Sequence, residues 1–230
     1  MELVRIFREL KSKHGDVQQE AARKLHLYLL KHPEEVEKVF EEFCDILNTE
    51  KIENKLGCLM AINKILTVSR ERSIVHHIHK MMPIMFKQLK NQKNSNELLE
   101  KLAECLGNLA RAGGTIVAAV VEKDIEDVIN WIQDKSSNDS KRYSGTLILR
   151  EFCKKMQILT FNKLFDSSKL YKVLFPLLKD KMIHIRQTTV ECIDECIGLI
   201  SLRKDALNIG FLEDIFKEVC KAFSESDANF

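Results

Sequence analysis

A chain of 230 residues that is 45% hydrophobic and 30% charged can bury a core, and its composition is not that of a disordered segment. Its formal charge of +2 at pH 7, with acidic and basic residues mixed along nearly every segment, lacks the footprint of a DNA or RNA binder. With 8 glycines and 3 prolines there is too little punctuation for an all-β domain, and no apolar run reaches the roughly 18 residues of a membrane span.

Helix is therefore expected throughout. In chain order, polar breaks fall at His14-Gly15-Asp16, His32-Pro33, Asn48-Thr49-Glu50, Asn91 to Asn96, Gly113-Gly114, Ser136 to Ser140 and Lys179-Asp180. Between them apolar residues recur at helical spacing. Val36, Val39, Phe40, Phe43 and Leu47 make one stripe, and Val121, Ile125, Val128, Ile129 and Ile132 another. A third comprises Leu212, Ile215, Phe216, Val219 and Phe223. Asp16 is expected as an N-cap, Pro33 in a first helical turn, and Gly113 at a helix C-terminus. The spacing predicts roughly eleven helices with loops short enough to make neighbours antiparallel.

Segments starting at Val17, Glu53, Leu99, Lys141 and Ile185 repeat at a period of roughly forty residues, as helical-pair arrays do. Four positions on, each has a small residue or Thr: Ala21, Gly57, Ala103, Gly145 and Thr189. Eight positions on come Leu25, Ala61, Gly107, Leu149 and Ile193. Positions four apart share a helical face, so a small residue there lets a neighbouring backbone come close. Phe175-Pro176-Leu177-Leu178-Lys179-Asp180 followed by Ile185-Arg186 resembles the HEAT signature, with Met82-Pro83-Ile84 a fainter copy. The fold class expected is thus all-α, an α-solenoid of about five antiparallel HEAT-type pairs plus one extra helix. Residues 1–230 form a single array: pairs at approximately 1–32, 33–70, 73–114, 115–157 and 161–201, then a helix at 210–224. That last helix, without a partner, is expected to mark a piece of a longer protein, or else a C-terminal cap.

No residue is singled out as catalytic, cofactor-binding or metal-binding. A kinase site needs a Gly-rich phosphate loop and its strand lysine, and Gly113-Gly114 is better read as helix termination. His76 and His79 are i,i+3 neighbours without a completing ligand, and are taken as surface or interfacial side chains. Cys192 and Cys196 are i,i+4 on one face; zinc would need two more ligands, so both are taken as core thiols. The other cysteines, at 44, 58, 105, 153 and 220, include no C-x-x-C pair and read as reduced thiols of a cytoplasmic protein. Trp131 is expected in the core or between repeats. Turn lysines Lys11/Lys13, Lys51, Lys90/Lys93, Lys135/Lys141 and Lys179/Lys181 fall along one edge, where a positive rim could steer an acidic partner.

The order of segments adds a family resemblance. Phe7-Arg8-Glu9-Leu10-Lys11-Ser12-Lys13 with Glu20-Ala21-Ala22-Arg23-Lys24-Leu25 resembles the opening HEAT pair of the TOR (target of rapamycin) kinases. So do Leu106 to Gly114 with Val121-Glu122 and Trp131, then Leu147-Ile148-Leu149-Arg150-Glu151-Phe152, Thr160-Phe161 and Ile185-Arg186. The resemblance implies a non-catalytic protein-interaction scaffold, the N-terminal HEAT region of a PI3K-related Ser/Thr protein kinase in nutrient and growth signalling. It places the kinase domain outside this chain. It implies no cofactor, and protein partners: Raptor-like subunits of TOR complexes and, on the second helical pair at 33–69, a Rheb-like small GTPase. Neither nucleic acid nor direct membrane insertion is implied, and recruitment to endomembrane surfaces would run through partners. Which residues contact a partner is unknown from the sequence. The alternative is a free-standing HEAT adaptor of phosphatase-scaffold or transport-receptor type.

Overall fold

A computed structural model describes residues 2–68, 75–91, 93–134, 137–155 and 173–201, together with 213, 216–221 and 224. The segments around Thr160-Phe161, Lys135, Ser136 and Arg203, and most of the expected last helix including Leu212, Ile215 and Phe223, lie outside the described residues. Two compact units are distinguished, Met1–Val121 and Glu122–Phe230.

In the first unit, α1 (Glu2–Leu10) and α2 (Gly15–Lys31) make one pair, α3 (Val36–Thr49) and α4 (Ile52–Val68) a second, and α5 (Val75–Leu89) and α6 (Asn96–Gly113) a third. Each pair packs internally, α1 on α2, α3 on α4 and α5 on α6. The pairs then stack like on like: α2 on α4, α4 on α6, and α3 on α5. Two helical layers result, with Leu10, Leu25, Phe40, Phe43, Leu47, Leu59, Ile62, Met81 and Met82 fully buried between them. Each such side chain contributes about 1.5–3 kcal/mol by leaving water. No pair could bury its faces alone, so the neighbours supply the stability.

The second unit takes in α7 (Ala118–Gln133) from Glu122 onward, α8 (Asp139–Lys155), a 3-10 turn at Phe175–Lys179 and α9 (Ile183–Ser201). Its broadest helix contact among the described residues is α9 on α8, again second-type helix on second-type helix. Val121, Ile125, Val128 and Ile132 are buried as the stripe predicts, and Trp131 is 6% exposed, with Lys141 Nζ 5.9 Å from its ring centroid.

The helix ends depart from expectation in places. Helix α2 begins at Gly15, so Asp16 is already inside the first turn, and the N-cap position goes to His14, whose side chain makes no cap bond. Asp16 still favours the positive end of the helix dipole from there. Gly113 ends α6, but Gly114 carries the left-handed backbone, at φ 53°. A side chain at that φ would be strained, and Gly tolerates it. Pro33 opens a 3-10 turn before α3, and Pro83 lies inside α5. In the Asn91 to Asn96 loop, Ser95 Oγ caps α6 by accepting from the Leu98 amide at 3.3 Å.

All five residues at the fourth repeat position, Ala21, Gly57, Ala103, Gly145 and Thr189, are buried. At Gly57 the reason is specific: a Cβ built there would collide with the backbone carbonyl of Leu10. At Gly145 it would meet Ile132 at 3.0 Å. Gly57→Ala is therefore expected to destabilise the chain by about 1–3 kcal/mol in urea denaturation. The Gly15→Ala control, where a Cβ meets nothing within 4 Å, is expected to change stability by no more than about 1 kcal/mol.

Candidate functional site

The turns inside the pairs are joined by a polar ladder. In the second unit, Asp180 accepts from Arg142 Nε at 2.9 Å, while its backbone carbonyl accepts from Arg186 Nη1 at 2.8 Å. Arg142 also donates to the Ser137 carbonyl and to Asp139, both at 2.8 Å. Arg142 and Arg186 occupy the same repeat position, one residue after Lys141 and Ile185. The equivalent residue in α2 is Gln18, which does the arginine's work without its charge. Gln18 Nε2 donates to the carbonyls of Ser12 at 2.7 Å and Glu53 at 2.8 Å, tying the first turn to the second pair. Sequence reasoning found the Asp–Arg element only in the last pair and missed Gln18, because an amide at that position resembles any surface glutamine until its acceptors are seen.

The expected positive rim is reduced by the same turns. Lys11 pairs with Glu50 at 3.1 Å and Glu42 at 3.7 Å, and Lys181 with Asp139 at 3.2 Å. Lys90 Nζ lies 5.0 Å from the Phe86 ring centroid. Glu50 and Asp139 are held below their ordinary carboxylate range by these partners, Asn54 then Lys11 for the former, Lys181 and Arg142 for the latter. The turn edge thus presents mixed charge.

Concave space lies at the first pair. A groove of about 530 Å³ between the first pair and α3 is lined by the apolar Leu3, Val4 and Phe7 and by Tyr28 together with charged side chains, among them Arg8 and Glu42. Val4 is 66% exposed there, so apolar surface is presented within a charged frame. Polar contacts also join second-type helices within each unit, Asn108 Nδ2 to Asn63 Oδ1 at 2.9 Å in the first and Arg150 to Glu191 at 2.6 Å in the second.

The histidine run separates into different roles. His76 and His79 are exposed, whereas His77 is buried and stacks on Phe40 with ring centroids 4.8 Å apart. His77 is held below the usual imidazole range by burial and then by His76 beside it. His26, also buried, is lowered by burial and by Lys64. Cys192 and Cys196 are buried core thiols, and Cys153 from α8 joins them, all three Sγ atoms within 4.8 Å of one another. Sequence reasoning missed Cys153, since nothing in a single helical face points to a residue one repeat earlier.

Among the described residues no helix is long and apolar enough to cross a membrane. The pairs stacked like on like define an all-α protein of the α-solenoid class. A solved relative in fold is the crystal structure of an engineered protein, with a TM-score of 0.53 and 16% identity, covering 96% of this chain and 93% of that one. No protein-family model matches the chain. Its sequence is similar to the serine/threonine-protein kinase TOR of rice (Oryza sativa subsp. japonica), 24% identical over 74% of this chain, and of Arabidopsis thaliana, 21% over 79%. It is similar too to the serine/threonine-protein kinase tor1 of Schizosaccharomyces pombe, 19% identical over 97% of this chain. The chain spans only 7–10% of the length of these relatives. The chain is thus similar to a helical-repeat segment of TOR kinases along most of its length.

Two outcomes test this reading of the site. Asp180→Ala removes the acceptor of Arg142 and of the Met182 amide from a side chain only 8% exposed, and is expected to cost about 1–3 kcal/mol in urea denaturation. For the buried histidines, the unfolded chain binds more protons than the folded one below the ordinary imidazole pKa of about 6.5. Stability is therefore complete above that value and falls as pH drops toward the lowered folded values. His77→Phe, which keeps a ring on Phe40, should flatten the fall in Tm between about pH 7 and pH 5.

Proposed function

We propose that this chain is the non-catalytic, N-terminal HEAT-type segment of a TOR-type Ser/Thr kinase, presenting helical surfaces to other proteins in the cytoplasm. The observation that carries this is the pairing of two shares: similarity over 74–97% of this chain against 7–10% of each TOR relative. A segment of that size, made of stacked helical pairs, supports a scaffold role with the kinase domain elsewhere in the parent chain. The whole run of pairs acts as one array in this reading. Its partners are Raptor-like subunits of TOR complexes and a Rheb-like small GTPase on the second pair, α3 and α4, in nutrient and growth signalling. The mixed-charge turn edge and the apolar groove of the first pair suit protein surfaces, since interfaces combine an apolar centre with a polar rim. Recruitment to endomembranes follows from those partners.

Two measurements test the proposal. The transcript should continue past Phe230 into further helical pairs and a kinase domain. A purified Raptor-like subunit from the same cells should bind immobilised chain reversibly, and binding should survive kinase inhibition. A stop codon directly after Phe230, or no binding to that subunit or to the GTPase, would overturn it.

A further inference from the structure

In the interior of the second unit, three thiols from two successive repeats converge. Cys153 stands near the end of α8, and Cys192 and Cys196 lie one turn apart on α9. Their Sγ atoms all lie within 4.8 Å of one another, with Cys153 and Cys196 3.5 Å apart, and the three residues are 4%, 0% and 3% exposed. Among the described residues this is the one group of three or more His, Cys, Asp or Glu side chains placed to share an ion.

The geometry points to a closed, structural metal site formed by Cys153, Cys192 and Cys196, selective for a soft, thiophilic ion that accepts three thiolates, copper(I). Three thiolates around an ion at a metal–sulfur distance of about 2.3 Å stand about 3.8–4.0 Å apart, so side-chain movements of less than about 1 Å complete the shell. Sulfur ligands alone select soft ions over magnesium or calcium. Burial leaves no open position for substrate, which makes the role structural. The i,i+4 pair supplies two ligands from one rigid face of α9, and the third comes across the α8–α9 contact, so a bound ion clamps neighbouring repeats together.

Binding requires the thiols to release their protons. A copper(I) ion entering the reduced site displaces three thiol protons and leaves a three-thiolate complex of net charge −2, without electron transfer. Arg150, whose charge acts on Cys192, offsets part of that charge. Affinity should therefore rise with pH.

The test uses the full chain, reduced and metal-free. Zinc(II) and copper(I) are titrated in separate arms, and cadmium(II) gives a thiolate charge-transfer band. The expected result is one ion per chain, a rise in Tm on loading, and, in urea just below the unfolding transition where the buried thiols open transiently, slower alkylation of Cys153, Cys192 and Cys196 in the loaded than in the metal-free chain, read by peptide mass spectrometry on the unmutated protein. Cys153→Ala, with its folding checked by circular dichroism, should weaken binding by more than about tenfold, the lower end of what losing even an outer partner costs a metal site. The buried control Cys58→Ala should not. Absence of stoichiometric copper(I) binding, or protection of other cysteines instead of these three, would overturn the site while leaving the scaffold reading untouched.

Discussion

The α4 backbone runs so close to the end of α1 that a single methyl group at Gly57 would collide with the Leu10 carbonyl. That approach is the constraint from which the rest of the first unit follows. With the backbones this near, the stripes of α2 and α4 interdigitate over Leu25, Leu59 and Ile62, each exposed by 0%. The same position carries Ala21, Ala103, Gly145 and Thr189, and the hydroxyl of Thr189 turns inward to the Ile185 carbonyl at 2.7 Å, so even the polar member adds no unpaired group. Small volume at one position in forty thus permits stacking, and stacking is what buries the long apolar stripes.

Stacking brings the turns of successive pairs side by side, and their exposed carbonyls then need donors. The chain supplies these with different residues at one register position, Gln18 in the first unit and Arg142 and Arg186 in the second. A glutamine can bridge two carbonyls without requiring an anion, whereas Arg142 brings a charge that Asp180 and Asp139 neutralise. Lysines of the turns are drawn into similar pairs with Glu50 and Asp139. The surface left for recognition is consequently one of mixed charge with isolated apolar residues such as Val4, Leu30 and Ile183.

The second unit differs in what its interior holds. Where α4 and α6 of the first unit each bury one thiol, Cys58 and Cys105, α8 and α9 bring three together. Sulfur is compact and polarisable enough to pack as a hydrophobe, so the helices can approach without a ligand present. The same atoms can exchange protons for a soft ion, which gives this layer a chemistry the other layers lack.

Much of this was legible in the chain itself. The helical period of the stripes, the scarcity of Gly and Pro, and the small residues every forty positions determined an all-α stack of pairs, because those patterns depend on local geometry and on which face a residue occupies. The segment order from Phe7 onward likewise anticipated the TOR similarity. Tertiary packing alone decided the rest. Asp16 lost its expected cap role to an earlier helix start, Gly114 took the positive-φ backbone just past Gly113 at the helix end, His77 was buried while His76 stayed in water, and Cys153 met Cys192 and Cys196. Each depends on which residues of different repeats come to lie against each other, and sequence spacing within one helix carries no information about distances across two.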